Sequence, residues 1–189
     1  MRSMLAVLLS VIATTSYAAE QRLYALNLYG GVMTTNDWDE IAFPSSVDFK
    51  DSYLAAATLA RNIGWYKHLA SFELEGQVVK HFNFQNHWEI NALVTGRWEA
   101  FWWDKHLDTS LAFGLGPSYA TEKPDVEIYN DGDTSQLLVY WMIELALALP
   151  QHAERTALIL RIHHRSDAFG LVAEKGGSNA LGLGMKIRL

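Results

Sequence analysis

The sequence predicts an all-β protein, an eight-stranded antiparallel transmembrane β-barrel of the outer-membrane type. Three observations predict it: an export signal at the amino terminus, a series of segments in which apolar and polar residues alternate, and longer polar connections at one end of those segments than at the other. Composition alone does not decide the fold, because half of the 189 residues are apolar and a soluble β-sandwich could share that fraction.

The amino-terminal segment has the features of a cleaved signal peptide. Arg2 precedes an apolar run over residues 5–13, and small residues stand at positions 16 and 18, where a signal peptidase reads the chain. The apolar run is too short to cross a hydrocarbon core of roughly 30 Å as a helix. We expect cleavage after Ala18, which leaves residues 19–189 as one barrel domain.

The net charge argues against a nucleic-acid-binding protein, and the absence of Cys means that the protein has no disulfides. The chain has 15 Lys and Arg against 21 Asp and Glu, a formal charge of −6, which becomes −7 when Arg2 leaves with the signal peptide. This negative surplus argues against nucleic acid as a partner. Cys is absent, so we expect the backbone ladder and side-chain packing to stabilise the exported domain.

Alternation gives each strand two distinct faces, since successive residues of a strand point to opposite sides. The last strand is the clearest case. Its odd-numbered residues, from Leu181 to Leu189, are all apolar, whereas its even-numbered residues are small or charged. The same rule and the ~9–11 residues of a tilted transmembrane strand predict eight strands, over residues 22–33, 52–61, 71–80, 88–101, 110–119, 137–149, 156–167 and 180–189.

The connections between these strands differ in length and therefore orient the barrel. We expect short periplasmic turns near residues 62–64, 104–107 and 151–154. The longer segments, rich in Asp, Asn, Pro and Gly, are predicted to be extracellular loops; they cover residues 34–50, 82–87, 121–135 and 170–177. The predicted location is the bacterial outer membrane.

Charged residues of both signs fall on the inward faces of the strands, which predicts a lumen closed by ion pairs. The inward bases are Arg161, His163, Arg165, Lys186 and Arg188. The inward acids that we expect them to neutralise are Glu73, Glu75, Glu99 and Glu144.

The seventh strand carries a polar pair on its lipid-facing side. Leu158, Leu160 and Ile162 share one face, and His164 and Ser166 continue that row. A Ser hydroxyl is inert until a base takes its proton, and a His two residues away on the same face is well placed to do so. The alternative is that the strand has left the hydrocarbon by residue 164 and that both side chains lie among lipid head groups.

A His base also needs a third group that fixes its tautomer and its orientation. The outward row of the last strand, continued back from Leu181, reaches Asn179 on the strand that pairs with the seventh. Asn179 is therefore one candidate for this role. Glu174, in the intervening loop, is the alternative and would add a negative charge, unless it is simply a solvated loop residue.

The segment His164-Arg165-Ser166-Asp167-Ala168, followed by a Gly-containing loop and a terminal strand, resembles the lipid A 3-O-deacylase (PagL) family of acyloxyacyl hydrolase-like outer-membrane barrels. The resemblance covers roughly the last 35 residues and the architecture. It implies hydrolysis of an ester-linked acyl chain of lipopolysaccharide at the outer wall of the barrel.

The resemblance also implies roles for individual residues. Ser166 would be the nucleophile and His164 the general base, and amides around Ala168 and Gly170 would form the oxyanion site. Asp167 stands where the family usually has Asn, and Asn179 stands where its best-known triad has a Glu. The implied reaction needs no metal and no other cofactor, and the implied partners are lipopolysaccharide, or lipid A, and the surrounding outer-membrane lipids.

Two other functions compete with the esterase. The first is a non-enzymatic small barrel that serves envelope integrity or adhesion. The second is another lipid A enzyme such as a palmitoyltransferase, which is disfavoured because the tract after the signal peptide enters a strand almost directly and offers no amphipathic helix. The sequence leaves open whether the barrel forms a homodimer.

Overall fold

The computed structural model describes residues 22–36 and 47–189. The predicted signal peptide and most of the first predicted outer loop lie outside the described residues. The elements are β1 (Tyr24–Thr34), β2 (Phe49–Tyr66), β3 (Ala70–Asn83), β4 (Trp88–Trp98), β5 (Asp108–Ala120), α1 (Asp125–Asp131), β6 (Leu137–Ala148), β7 (Thr156–Ser166) and β8 (Gly177–Arg188).

The eight strands form one closed antiparallel barrel in chain order, as the sequence predicts. Each strand pairs with its neighbours in the chain, and β8 closes the sheet by pairing with β1, where Gly184 lies opposite Tyr29. Closure satisfies the backbone groups that an open sheet edge would expose to lipid at a cost of several kcal/mol each. Among the described residues, no helix is both long and apolar enough to cross a membrane.

The two faces of the barrel differ as alternation predicts. The outer face carries aliphatic and aromatic side chains that are about half exposed, such as Val94 (57%), Phe113 (53%) and Leu183 (56%). The lumen instead buries charged side chains almost completely, including Arg161 and Lys186, at 1% each. An apolar outer belt around a polar interior is the pattern of a transmembrane barrel.

Glu144 lies at the centre of the predicted ion-pair network in the lumen. Its Oε1 accepts a hydrogen bond from Arg97 Nη2 at 2.8 Å, and its Oε2 accepts one from Arg161 Nε at 2.9 Å. Arg97 also pairs with Glu73 and Arg161 with Glu75, at 3.1 Å and 2.6 Å. These five side chains form one connected ion-pair network inside the lumen.

Other inward charges have partners that the sequence did not identify. Glu99 accepts a hydrogen bond from the Ser71 hydroxyl, and Arg188 lies 4.0 Å from Asp108 near the inner end of the barrel. His163 Nε2 lies 3.1 Å from Glu89 Oε1. Arg165 pairs with Glu127 of α1.

The segment predicted to be an extracellular loop over residues 121–135 contains a short helix and a buried acid, which its polar composition does not predict. Residues 125–131 form α1, and the Glu127 side chain is fully buried. It accepts hydrogen bonds from Arg165 Nη1 and Ser178 Oγ, both at 2.9 Å. Burial raises the pKa of the Glu127 carboxyl, although Arg165 opposes the shift. The helix thus closes the outer end of the lumen.

The first inner turn also lies further along the chain than predicted. Residues 62–64 form a bulge within β2, where the Gly64 amide donates to Asn62 Oδ1 at 3.1 Å. The strand continues to Tyr66, and the turn follows at Lys67, whose φ is 54°. Asn and Gly favour bulges as well as turns, which explains the error.

Candidate functional site

The candidate site lies at the outer end of β7, on the outward face. The odd-numbered residues from Ala157 to Arg165 are buried in the lumen, whereas Leu158 and Leu160 are 50% and 45% exposed on the outer wall. His164 and Ser166 have the parity of Leu158 and Leu160. They therefore continue the outward row, as the sequence predicts for them.

His164 is covered by its neighbours although it lies on the outer wall. It pairs with Trp141 on β6 and with Asn179 on β8. The rings of Trp141 and His164 lie 4.3 Å apart between centroids, with their planes at 32°. His164 is only 7% exposed, so its imidazole is held in a fixed position.

The contacts of Asn179 determine which ring nitrogen of His164 carries the proton. Asn179 Nδ2 donates a hydrogen bond to the Asn36 carbonyl at 2.9 Å, so its Oδ1 faces the imidazole. His164 Nδ1 lies 2.6 Å from that oxygen. An amide oxygen only accepts, so Nδ1 carries a proton. A general base oriented in this way acts through Nε2.

Ser166 is the last residue of β7 and is partly buried. Its Oγ accepts a hydrogen bond from the Ala168 amide at 3.1 Å, a local Ser turn. The hydrogen bonds among the described residues do not include one between Ser166 Oγ and His164. Residues two apart on a strand are separated by about 6.6 Å, so the Ser166 hydroxyl would have to turn away from the Ala168 amide before His164 could take its proton.

The loop after Ser166 has an unusual backbone. Ala168, Phe169 and Gly170 have φ angles of 56°, 59° and 82°, all in the left-handed region. Such residues are strained when they carry a side chain, and they cluster at functional sites. The Asp167 carboxylate accepts a hydrogen bond from the Phe169 amide at 2.9 Å, so this charge is directed into the loop backbone.

The remaining residues that the sequence predicts for the site differ in how closely they approach His164 and Ser166. The Ala168 amide points at Ser166 Oγ, whereas Gly170 is exposed at the tip of the loop. Glu174 is also exposed and takes part in none of the hydrogen bonds or ion pairs of the described chain. The structure therefore brings together His164 and Asn179, with Ser166 and Ala168 beside them.

The outer surface on this side of the barrel has two depressions, the first of them lined in part by Ser166. A polar cavity of about 300 Å³ is lined by Ser166, Asp167, Lys175 and Asp131, together with two glycines. Below it on the wall, an apolar groove of about 350 Å³ runs across β7, β8, β1 and β2. Its lining residues are Gly30, Gly31, Val32, Tyr53, Leu160, Leu181, Gly182 and Leu183.

Sequence reasoning missed the ring of Trp141 and the amide contact at Ser166. Parity places Trp141 on the outward face but does not show which neighbour it covers. The contact from Ala168 depends on the left-handed backbone of the loop, which no residue type there requires. Lys175, which donates to the Asp131 carbonyl at 3.1 Å, was also missed.

Comparison with known proteins supports the fold. No protein-family model and no curated protein matches the sequence. The crystal structure of the outer membrane enzyme PagL is similar, with a TM-score of 0.61 and 12% identity over 87% of this chain and 99% of that one. Neisserial surface protein A (NspA) is also similar, with a TM-score of 0.52 and 7% identity over 88% of this chain and 97% of that one. The predicted fold, an eight-stranded barrel of the outer-membrane type, is confirmed.

Proposed function

We propose that this barrel lies in the bacterial outer membrane and is a serine esterase of the lipid A deacylase (PagL) type. The observation that carries the proposal is the hydrogen bond from His164 to Asn179, in an outward row that ends at Ser166. It supplies an oriented base on the surface that faces outer-leaflet lipid. The similarity to PagL in fold agrees with this proposal.

The reaction follows from the roles of these side chains. His164 Nε2 takes the proton of the Ser166 hydroxyl while Oγ bonds to the ester carbonyl carbon. When the tetrahedral intermediate collapses, the bond to the alcohol oxygen breaks, that oxygen takes the proton from the imidazolium, and the acyl chain stays on Ser166. Water then repeats both steps and releases the fatty acid.

The backbone of the loop supports the developing negative charge. The Ala168 amide already points at Ser166 Oγ, so it lies near the position of the oxyanion that forms beside that atom. The Asp167 carboxylate lines the polar cavity, but its Oδ1 accepts a hydrogen bond from the Phe169 amide, which offsets part of its charge. A carboxylate where the family usually has Asn is therefore compatible with the reaction.

The two depressions fit an amphiphilic substrate. The polar cavity at Ser166, whose wall carries Lys175, Asp131 and Asp167, suits a polar sugar head group. The apolar groove lies lower on the same wall and suits an acyl chain. An ester between head group and chain would lie between them, next to Ser166, which favours lipopolysaccharide as the substrate.

Mass spectrometry of lipid A tests the proposal. Cells that express the wild-type barrel are expected to lose one hydroxyacyl chain from lipid A, whereas cells that express Ser166→Ala or His164→Ala are expected to keep it. His152→Ala, at an exposed inner turn, is the control and should act like the wild type. An unchanged lipid A profile with wild-type protein folded in the membrane would refute the esterase.

The second candidate is a non-enzymatic barrel for envelope integrity or adhesion. One observation favours it: Ser166 Oγ is held by the Ala168 amide, and the described hydrogen bonds do not connect it to His164. The similarity to NspA is compatible with this role. Intact lipid A together with an envelope defect on deletion of the gene would support this candidate.

A further inference from the structure

A second group of chemically competent side chains lies inside the lumen, below α1. It consists of His81 on β3, Glu89 on β4 and His163 on β7, and each is at most 2% exposed. The reaction proposed above uses none of them. We call these three residues the lumen triad.

The ligand atoms of the lumen triad converge on one point. His81 Nε2 lies 2.9 Å from Glu89 Oε2, and His163 Nε2 lies 3.1 Å from Glu89 Oε1. One ligand atom from each residue lies within 4.8 Å of the other two. Tetrahedral ligands about 2.1 Å from a zinc ion are about 3.4 Å apart, so an ion would draw the three ligand atoms together from separations of up to 4.8 Å.

Charge in the lumen favours a cation at this place. Of the charged side chains that the structure describes as buried, five are acids, namely Glu73, Glu75, Glu89, Glu127 and Glu144, and four are permanent cations, namely Arg97, Arg161, Arg165 and Lys186. Glu89 is the acid whose ion pairs are with imidazoles alone. These buried charges leave one negative charge in excess, and no guanidinium or ammonium forms an ion pair with Glu89 in the described chain.

The contact between His163 and Glu89 is poorly aligned for a hydrogen bond. His163 Nε2 is fully enclosed and lies 3.1 Å from Glu89 Oε1, but the geometry of the contact is not that of a hydrogen bond. A buried polar atom without a well-formed hydrogen bond calls for an explanation such as a bound ion. A metal ion between His163 and Glu89 would satisfy this nitrogen.

The surroundings resemble the outer shell of a metal site, in which other side chains fix the ligands. The Glu89 carboxylate accepts hydrogen bonds from Asn91 Nδ2 at 2.7 Å and from Ser118 Oγ at 3.3 Å. His163 Nδ1 lies 3.1 Å from the Tyr29 hydroxyl, which can accept the proton that Nδ1 carries when Nε2 binds a metal. Gln85 Nε2 donates a hydrogen bond to His81 Nδ1 at 3.0 Å, and Gln85 Oε1 accepts one from the Val126 amide, so the Gln85 amide must turn over when His81 Nε2 binds a metal.

We propose that the lumen triad binds one divalent transition-metal ion of the zinc type, with two imidazole ligands and one carboxylate. Such an ion would connect β3, β4 and β7 across the lumen and stabilise the barrel. The site is distinct from Ser166 on the outer wall, and the proposal does not depend on the esterase.

Binding of Co²⁺, a spectroscopic substitute for Zn²⁺, tests the proposal. The purified barrel in detergent micelles is stripped with EDTA, freed of chelator and titrated with Co²⁺ while visible absorption is recorded. We expect about one bound ion per barrel, with the intense visible bands of a four-coordinate N and O site. Zn²⁺ should displace the cobalt and raise the thermal unfolding temperature.

Three variants identify the ligands. His163→Gln and Glu89→Gln should abolish the bands, and Tyr29→Phe, which keeps the ring and removes the hydroxyl, should weaken binding about 10- to 100-fold. His152→Gln removes an exposed imidazole and should bind like the wild type. Folding of every variant is checked by circular dichroism.

The results separate a metal site from its alternatives. Absence of stoichiometric Co²⁺ or Zn²⁺ binding to the folded wild type would refute the proposal and leave a protonated imidazole as the partner of Glu89. Binding that persists in folded His163→Gln but is lost in His152→Gln would assign the metal to the surface and equally refute it. None of these tests measures lipid A deacylation, so the metal site and the esterase can be refuted separately.

Discussion

Replacement of Glu144 by Gln tests whether ion pairs hold the lumen together. The substitution keeps the size of the side chain and one acceptor oxygen. It removes the charge that lies between the Arg97 and Arg161 guanidinium groups, which contact opposite oxygens of the carboxylate. The new amide nitrogen would face one of these guanidinium groups, donor against donor.

The expected loss of stability follows from burial and from the contacts that remain. Glu144 is fully buried, and removing one partner of a buried charge pair costs about 3–5 kcal/mol. Arg97 keeps Glu73 and Arg161 keeps Glu75, so neither guanidinium loses every anionic partner. We therefore expect a loss near the lower end of that range, about 3 kcal/mol.

Equilibrium unfolding in urea, followed by Trp fluorescence in lipid vesicles, measures this loss. Glu122→Gln, an exposed residue that undergoes the same chemical change, is the matched control and should stay within about 0.5 kcal/mol of the wild type. A loss below about 1 kcal/mol for Glu144→Gln would contradict the view that the network is a buried structural plug.

Three further predictions concern the candidate site, the helix α1 and the packing of the β-sheet. Asn179→Ala should slow lipid A deacylation in micelles about 10- to 100-fold, because His164 would lose the contact that orients it and with it part of the rate that a positioned base contributes. Glu174→Gln should leave the rate unchanged. Equal effects of the two substitutions would overturn the assignment of Asn179 as the orienting residue. Burial raises the pKa of the Glu127 carboxyl above its ordinary value of 4.5, so the folded state binds this proton more tightly than the unfolded state does. The docking of α1 should therefore weaken as the pH rises from 4.5 through the raised pKa of Glu127. Hydrogen-exchange protection of the amides of residues 121–136, measured against pH, tests this prediction. In Glu127→Gln that protection should lose most of its pH dependence. The same pH profile in the variant and the wild type would contradict the role of Glu127. Gly184→Ala should lower the free energy of unfolding in urea by about 1–3 kcal/mol, because the new Cβ would lie 2.2 Å from the Leu28 carbonyl oxygen. Gly76→Ala is the control, because nothing lies within 4 Å of a Cβ at that position. Similar losses in both variants would refute the packing argument.

The sequence predicted much of the barrel because one property, parity, decides which face a strand residue occupies. It placed Lys186 in the lumen and Leu183 on the wall, where the structure has them. Turn chemistry was less reliable, since Asn62 and Gly64 form a bulge inside β2. Polar composition was misleading for residues 121–135, where Glu127 enters the lumen and meets Arg165.

For the candidate site, parity and strand pairing were enough to place Asn179 opposite His164. Contacts across the lumen could not be predicted in the same way. His81, Glu89 and His163 come from three strands, and their approach depends on how the sheet closes and staggers. The left-handed turn after Ser166 is equally invisible in the sequence, because Ala168 and Phe169 have no intrinsic preference for it.

Covalent trapping of the nucleophile tests the central claim most directly. The purified barrel in lipid micelles is incubated with a long-chain alkyl fluorophosphonate, and the adduct is located by peptide mass spectrometry. We predict a single phosphonylated residue, Ser166, with the adduct strongly reduced in His164→Ala and in Asn179→Ala. A folded wild-type barrel that remains unlabelled at Ser166, or that labels equally well without His164, would contradict a serine esterase on the outer wall.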